Sequence, residues 1–113
     1  MSAPGRGEVW DADFGATRGR EQAGIRPALI ISVDAFNQSA ADLVFAIPIT
    51  TTVKLVRSHV SVKPPEGGLS QPSFIKCEDA RSMSMQRLIK QRGSVSVATL
   101  LAVEDRLRML LGL

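Results

Sequence analysis

The sequence predicts an α+β domain, mainly β, in which a small curved or barrel-like sheet is followed by one C-terminal helix. Two observations carry this. Short apolar or alternating runs recur from residue 8 onward, each closed by Gly, Pro, Asn or Asp, as expected of many short strands. Leu100, Val103, Leu107, Leu110 and Leu111 then repeat at three- and four-residue spacing, the period of a single helix face. At 113 residues the chain suits one domain. Residues 1–7, rich in Gly and Pro, are expected to be a flexible N-terminus, with residues 8–113 forming the domain.

Glu8 to Phe14 reads as a first strand with one wet face, its alternation broken around Val9-Trp10. A charged loop follows, and Pro27 biases Arg26 toward extended backbone at the start of the next strand. Ala28 to Val33 is a nearly continuous apolar run, expected to be buried on both faces. Asp34 to Asp42 is small and polar, a loop or a single turn. Leu43 to Ile49 is another buried strand, its end demoted to an edge or bulge by Pro48. His59-Val60-Ser61-Val62 alternates, and Lys63 to Gly68 has the composition of a turn. Ser73 to Cys77 is a further strand. A last one is expected near Leu88 and Ile89, ended by Gly93. For the helix, Ser96 is the candidate N-cap, Gly112 the stop signal, and Glu104 with Arg108 a four-apart ion pair.

Composition narrows the function. There is no apolar run of membrane-spanning length and no secretory h-region. The one cysteine, Cys77, cannot form an internal disulfide, which agrees with a cytoplasmic setting. Basic groups outnumber acidic ones 14 to 11, and ten of the 14 are arginine, whose planar fork suits phosphate. Four Phe, one Trp and no Tyr make an aromatic base-stacking platform a poor expectation. His59 and Cys77 give no zinc pattern, and Asp11 with Asp13 reads as solvated strand charge before a cation site. Neither a phosphate-loop glycine motif nor a nucleophile elbow is present. Cys77, followed by acidic residues, is a poor thiolate, and His59 reads as a packed or surface strand residue before a catalytic one. No metal or other cofactor is expected.

The stretch Thr17 to Pro27 stands out: Arg18, Arg20, Glu21, Gln22 and Arg26, with Gly19 and Gly24, between a strand and an apolar run. Loops of dense mixed charge on a rigid sheet often bind or catalyse, although a solvated hairpin has the same composition. Glu21, Arg26, Thr50 at a strand end and Arg81 together suit phosphoryl chemistry. Guanidinium groups stabilise charge on phosphate oxygens, and a hydroxyl adds one hydrogen bond. On RNA the 2′-hydroxyl is a built-in nucleophile that needs only positioning and loss of its proton.

Several segments carry a family resemblance, in order along nearly the whole chain. They are Gly7-Glu8-Val9-Trp10, Thr17-Arg18-Gly19-Arg20-Glu21-Gln22-Ala23-Gly24-Ile25-Arg26-Pro27 and the Ile-Ile-Ser run at 30–32. Ile47-Pro48-Ile49-Thr50-Thr51-Thr52, Gly67-Gly68-Leu69 with Pro72-Ser73, and Leu110-Leu111-Gly112-Leu113 follow. In these the chain resembles the MazF/PemK (Kid) family of toxin ribonucleases from bacterial toxin–antitoxin pairs. The resemblance implies an SH3-like, CcdB/Kid/MazF-type small barrel with a C-terminal helix, acting as a homodimer. It further implies sequence-selective, metal- and ribosome-independent cleavage of single-stranded RNA, leaving 2′,3′-cyclic phosphate and 5′-hydroxyl ends, with growth arrest as the outcome. A MazE-like antitoxin, partly disordered until bound, would be the inhibitor.

By the same resemblance Arg26 and Thr50 match the family's active-site arginine and threonine, and Glu21 its loop glutamate. Arg26 is expected to stabilise the pentavalent phosphorane, Thr50 to bond a non-bridging oxygen, and Glu21 to accept the 2′-hydroxyl proton or else to order the loop. Arg18, Arg20, Gln22, Thr51, Thr52, Lys54, Asp79 and Arg81 are the candidate RNA contacts. The chain departs from the pattern at Glu78-Asp79-Ala80-Arg81, where an acid replaces a usual Gln, and at Asp11 and Gly15-Ala16. Base preference therefore does not carry across. Two alternatives stay open: a non-enzymatic, CcdB-like inhibitor of DNA gyrase, and an RNA-binding small barrel that does not cut.

Overall fold

The computed structural model describes residues 3–16 and 24–113. Among these, seven strands form one antiparallel sheet: β1 (Glu8–Asp13), β2 (Ile25–Ile30), β3 (Leu43–Thr50), β4 (His59–Val62), β5 (Ser73–Lys76), β6 (Arg81–Ser84) and β7 (Leu88–Ser94). A single helical turn, α1 (Asp34–Asn37), links β2 to β3, and α2 (Val97–Leu111) closes the chain. The strand order is β4-β5-β3-β2-β1-β7, with β6 also paired to β3. A mainly β fold with a C-terminal helix is therefore what the sequence predicts and what forms.

Side chains alternate across a strand, so the sheet has two faces, and each carries a core. Val9, Leu29, Ile31, Ile47, Ile49, Val60, Val62 and Ile75 pack on one face, closed by Val103 with the half-buried Leu100 and Leu107 of α2. Ala12, Phe14, Ala28, Ile30, Val44, Ala46 and Met83 pack on the other. The break in alternation at Val9-Trp10 has a physical counterpart: the β1–β7 register shifts between those two residues.

The helix ends follow local chemistry. Ser96 accepts from the Thr99 N–H at 3.2 Å, and Gly112 takes the left-handed conformation at φ 70°. Glu66, from the turn before β5, accepts from the Ser96 N–H at 2.9 Å and from the Thr99 hydroxyl, tying α2 to the sheet.

Six expectations are corrected. The strand expected at Ala28 to Val33 runs instead from Ile25 to Ile30; the chain leaves the sheet so that Val33 can precede α1, and Val33 is exposed. Pro48 neither ends β3 nor sits at an edge. The Ile31 N–H donates to the Phe45 carbonyl, so odd-numbered β3 backbone groups face β2 and even-numbered ones face away. On that far side β6 pairing stops at Ala46 and β5 pairing starts at Ile49, so the missing Pro48 N–H falls in a gap between two neighbours.

Gly93 lies within β7, opposite Val9, rather than ending it. A Cβ there would come within 2.7 Å of the Gly68 nitrogen, so glycine is required by a close backbone crossing. Glu104 pairs with Arg6, not with Arg108. The helix stripe is also only half used: Leu110 and Leu111 are exposed.

Of the expected flexible N-terminus, residues 3–7 are anchored. The Pro4 carbonyl accepts from Asn37, the Arg6 N–H donates to Asp34 at 2.8 Å, and the Gly7 N–H donates to the Ile30 carbonyl at 2.8 Å. β6 has no counterpart in the sequence reading.

Candidate active site

The site grows out of strand register. β2 and β3 pair as Ala28↔Pro48, Leu29↔Ile47 and Ile30↔Ala46, and the ladder stops there. Continuing it by two residues sets Arg26 opposite Thr50, on one face of the sheet. Pro27 contributes to the stop: its backbone faces β3, where it offers no donor. On the other side of β3, Thr50 pairs with Phe74 and Ile49 with Ile75 of β5, and Lys76 of β5 pairs with His59 of β4. The same parity therefore puts Arg26, Thr50, Lys76 and His59 on the face opposite Ile49, Ile75 and Val60.

Those four side chains, with Thr52 and Lys54 from the segment after β3, line one cavity of about 160 Å³. Arg26 is exposed and Thr50 buried. The Thr52 N–H donates to Thr50 Oγ1 at 3.1 Å, which uses an acceptor site and leaves the hydroxyl hydrogen to be donated. Arg26, Lys54 and Lys76 make the wall cationic, with Lys76 Nζ 2.9 Å from Asp79 Oδ2. An anion with several oxygens, a phosphodiester above all, matches this set of donors.

Behind the wall runs a hydrogen-bonded chain. His59, whose side chain is 3% exposed, contacts Glu78 Oε2 through Nε2 at 2.8 Å, and the Ser58 hydroxyl donates to Glu78 Oε1 at 2.6 Å. Burial pushes the Glu78 carboxyl up, but hydrogen bonds from Ser58, its own backbone and His59 outweigh this and hold it below its ordinary value. Burial, and then the charge of Glu78, push the neighbouring Cys77 thiol up to about 12, which bears out its reading as a poor nucleophile.

Of the residues expected at the site, the structure brings Arg26, Thr50, Thr52 and Lys54 together. Thr51 is exposed beside them. Asp79 reaches the cavity only through Lys76, and Arg81 lies apart at the start of β6, opposite Ala46. Arg18, Arg20, Glu21 and Gln22 lie outside the described residues. Two lining residues were missed, Lys76 and His59. Their signal was available only in pairing, since nothing local marks a strand lysine or histidine as facing Arg26. Asp11 pairs with Arg92 at 3.2 Å, and Asp13 accepts from the Gly15 N–H at 2.8 Å. No cluster of three metal-ligating side chains occurs among the described residues.

The comparisons with known proteins agree with this geometry. The family model for the PemK-like, MazF-like toxin of type II toxin–antitoxin systems matches residues 5–111. The endoribonuclease MazF9 of Mycobacterium tuberculosis is 31% identical, with 96% of each chain covered. The endoribonuclease MazF of Staphylococcus epidermidis is also 31% identical, covering 96% of this chain and 91% of its own. Among solved structures, MazF from Deinococcus radiodurans superposes with a TM-score of 0.88 at 27% identity over the full length of both chains. A mycobacterial endoribonuclease in complex with its cognate antitoxin gives 0.79 at 27% identity, covering 100% of this chain and 97% of its own. With a model match over residues 5–111 and relatives above 30% identity, the chain belongs to the PemK-like, MazF-like toxin family of type II toxin–antitoxin systems.

Proposed function

We propose that this chain is the toxin of a toxin–antitoxin pair and an endoribonuclease that cleaves single-stranded RNA within the Arg26–Thr50 cavity. The observation that carries the reading is that Arg26 and Thr50, each two residues past the end of the β2–β3 ladder, line one cavity with Lys54 and Lys76. The guanidinium stabilises the negative charge that accumulates on the phosphorane as the 2′-oxygen attacks, and it remains charged throughout. The Thr50 hydroxyl donates to a non-bridging oxygen, and Lys54 with Thr52 holds an adjoining phosphate. The products are a 2′,3′-cyclic phosphate and a 5′-hydroxyl end.

The protein works in the cytoplasm as a homodimer and is held inactive by a MazE-like antitoxin. In support of pairing with a second copy, the groove between α2 and β3 leaves Val33, Phe45, Leu111 and Leu113 exposed beside Arg108. No helix among the described residues is long and apolar enough to cross a membrane.

Purified protein incubated with a long unstructured RNA in excess chelator, followed by end mapping, tests the reading. Cut RNA with 5′-hydroxyl ends is expected, and Arg26→Ala should slow cutting by about 10²–10³-fold while leaving the fold intact. Intact RNA at every protein concentration refutes the nuclease reading. An Arg26→Ala variant that cuts at the wild-type rate removes Arg26 from the mechanism.

A further inference from the structure

His59 has no task in the chemistry above, yet it sits in the wall of the same cavity. Of the six lining side chains, three are cations and two are aliphatic hydroxyls; imidazole alone exchanges a proton readily near neutrality. Its two nitrogens are unlike. Nε2 is engaged by Glu78, whereas Nδ1 is buried and has no hydrogen-bond partner among the described residues. An unpartnered N–H⁺ in such a place costs more than an unpartnered lone pair. Arg26 on β2, Lys54 after β3 and Lys76, with its partner Asp79, line the cavity with the ring, and Arg106 of α2 donates to the Arg57 carbonyl two residues before it. Glu78 takes the Nε2–H. With Glu78 on Nε2, Nδ1 is the nitrogen turned to no donor among the described residues.

We propose that His59 is the proton acceptor of the cleavage, with Glu78 and Ser58 as the pair that fixes its tautomer. This rests on the ribonuclease reading. As the 2′-oxygen bonds to phosphorus, its proton passes to Nδ1. The P–O5′ bond breaks, its electron pair stays on the 5′-oxygen, and that oxygen takes a proton from water. The hydroxide so formed removes the proton from Nδ1 and restores the neutral ring. Glu78, ionised behind the ring, stabilises the transient imidazolium as a carboxylate does in other histidine dyads. The role of Ser58 is to hold that carboxylate in place.

Two consequences separate this from a structural role. The neutral ring is the active form, so kcat/KM rises with pH through the imidazole titration and then levels off. His59 is the only histidine in the chain, so its proton NMR titration is read without assignment. The experiment measures kcat/KM for the unstructured RNA in chelator between pH 5 and 9. It does so for the wild type, His59→Gln, Glu78→Gln and Glu21→Gln, with affinity for a 2′-O-methyl RNA as the binding control.

The expected result is a loss of about 10²–10⁴-fold in kcat for His59→Gln, with analogue affinity kept within a few-fold and the acidic limb gone. Glu78→Gln should lose less and move the limb to lower pH, because it removes the charge that favours imidazolium. If His59→Gln does not fold, the wild-type limb should still share its midpoint with the imidazole NMR titration. The proposal is overturned if His59→Gln cuts at the wild-type rate, if it slows but keeps the limb, if the two midpoints differ by more than a unit, or if Glu21→Gln alone abolishes the limb. In each of those cases the wild type still cuts RNA and the ribonuclease reading stands. A wild type that never cuts refutes both.

Discussion

Gly93→Ala perturbs the fold at the point where β7 crosses the turn before β5. The added Cβ would lie 2.7 Å from the Gly68 nitrogen, 2.8 Å from the Gly67 carbonyl carbon and 3.2 Å from its oxygen. Ordinary carbon–nitrogen contact needs about 3.5 Å, so the two backbones must part by roughly 0.8 Å. No side chain can rotate away to relieve the contact, because all three atoms are main chain. Gly68 cannot yield in the other direction either: it holds φ +68°, and its carbonyl accepts from the Arg92 guanidinium at 3.2 Å. Overpacking of this kind costs about 1–3 kcal/mol, which for a chain of this size lowers Tm by about 4 °C per kcal/mol. Urea unfolding followed by Trp10 fluorescence, at fixed protomer concentration, reads the loss directly. Trp10 is the only tryptophan, and it lies on β1 opposite Gln91 of β7. Ile89→Ala, on the same strand but 55% exposed, is the control and should stay within about 0.5 kcal/mol. A Gly93→Ala protein as stable as that control would refute the claim that the crossing requires glycine.

Two further outcomes follow from titrating groups. With its thiol pushed up to about 12, Cys77 should be roughly 10⁻⁴ thiolate at pH 8. Native protein should resist iodoacetamide for hours and react fully once unfolded; rapid native alkylation would contradict the burial. Glu66 is held below its ordinary value chiefly by the Thr99 hydroxyl, against a smaller opposing effect of burial. Its contribution is present above the unfolded-state carboxylate pKa and is lost as pH falls through the lower folded value. The stability gap between wild type and Glu66→Gln should therefore be wider at pH 7 than at pH 3 in urea melts. An equal gap at both would show that the charge of Glu66 does not matter.

What was legible in the sequence was whatever short-range chemistry decides. Ser96, Gly112 and the leucine stripe specify α2 within one segment, and His59 to Val62 shows its strand by alternation alone. β6 was not legible, because Arg-Ser-Met-Ser has no strand signal of its own; it is extended because Leu43 to Ala46 offers it a partner. Glu104 shows the same limit. Arg108 is the local choice, but Arg6, 98 positions away, is brought to it by the packed N-terminal segment. At the site, Arg26 and Thr50 could be recognised from motif. His59 and Lys76 could not, since their membership depends on two successive register pairings that no single segment encodes.

The same register explains why the site is where it is. Arg26 and Thr50 belong to two of the best-buried strands of the sheet, yet a guanidinium and a phosphate cannot both be accommodated inside a closed ladder. Proline resolves this on both strands. Pro27 offers no donor on the side facing β3, where the β2–β3 ladder stops at Ala28↔Pro48, and Pro48 offers none on the opposite side, between the β6 and β5 pairings. On the paired side of that end, Leu29 of β2 and Ile47 of β3 are fully buried, which holds the backbone still. Two residues beyond, the strands are free of each other and a cavity opens between them, floored by β5 and β4. Arg26 thereby combines a backbone fixed next to core packing with an exposed side chain at the point where pairing ends.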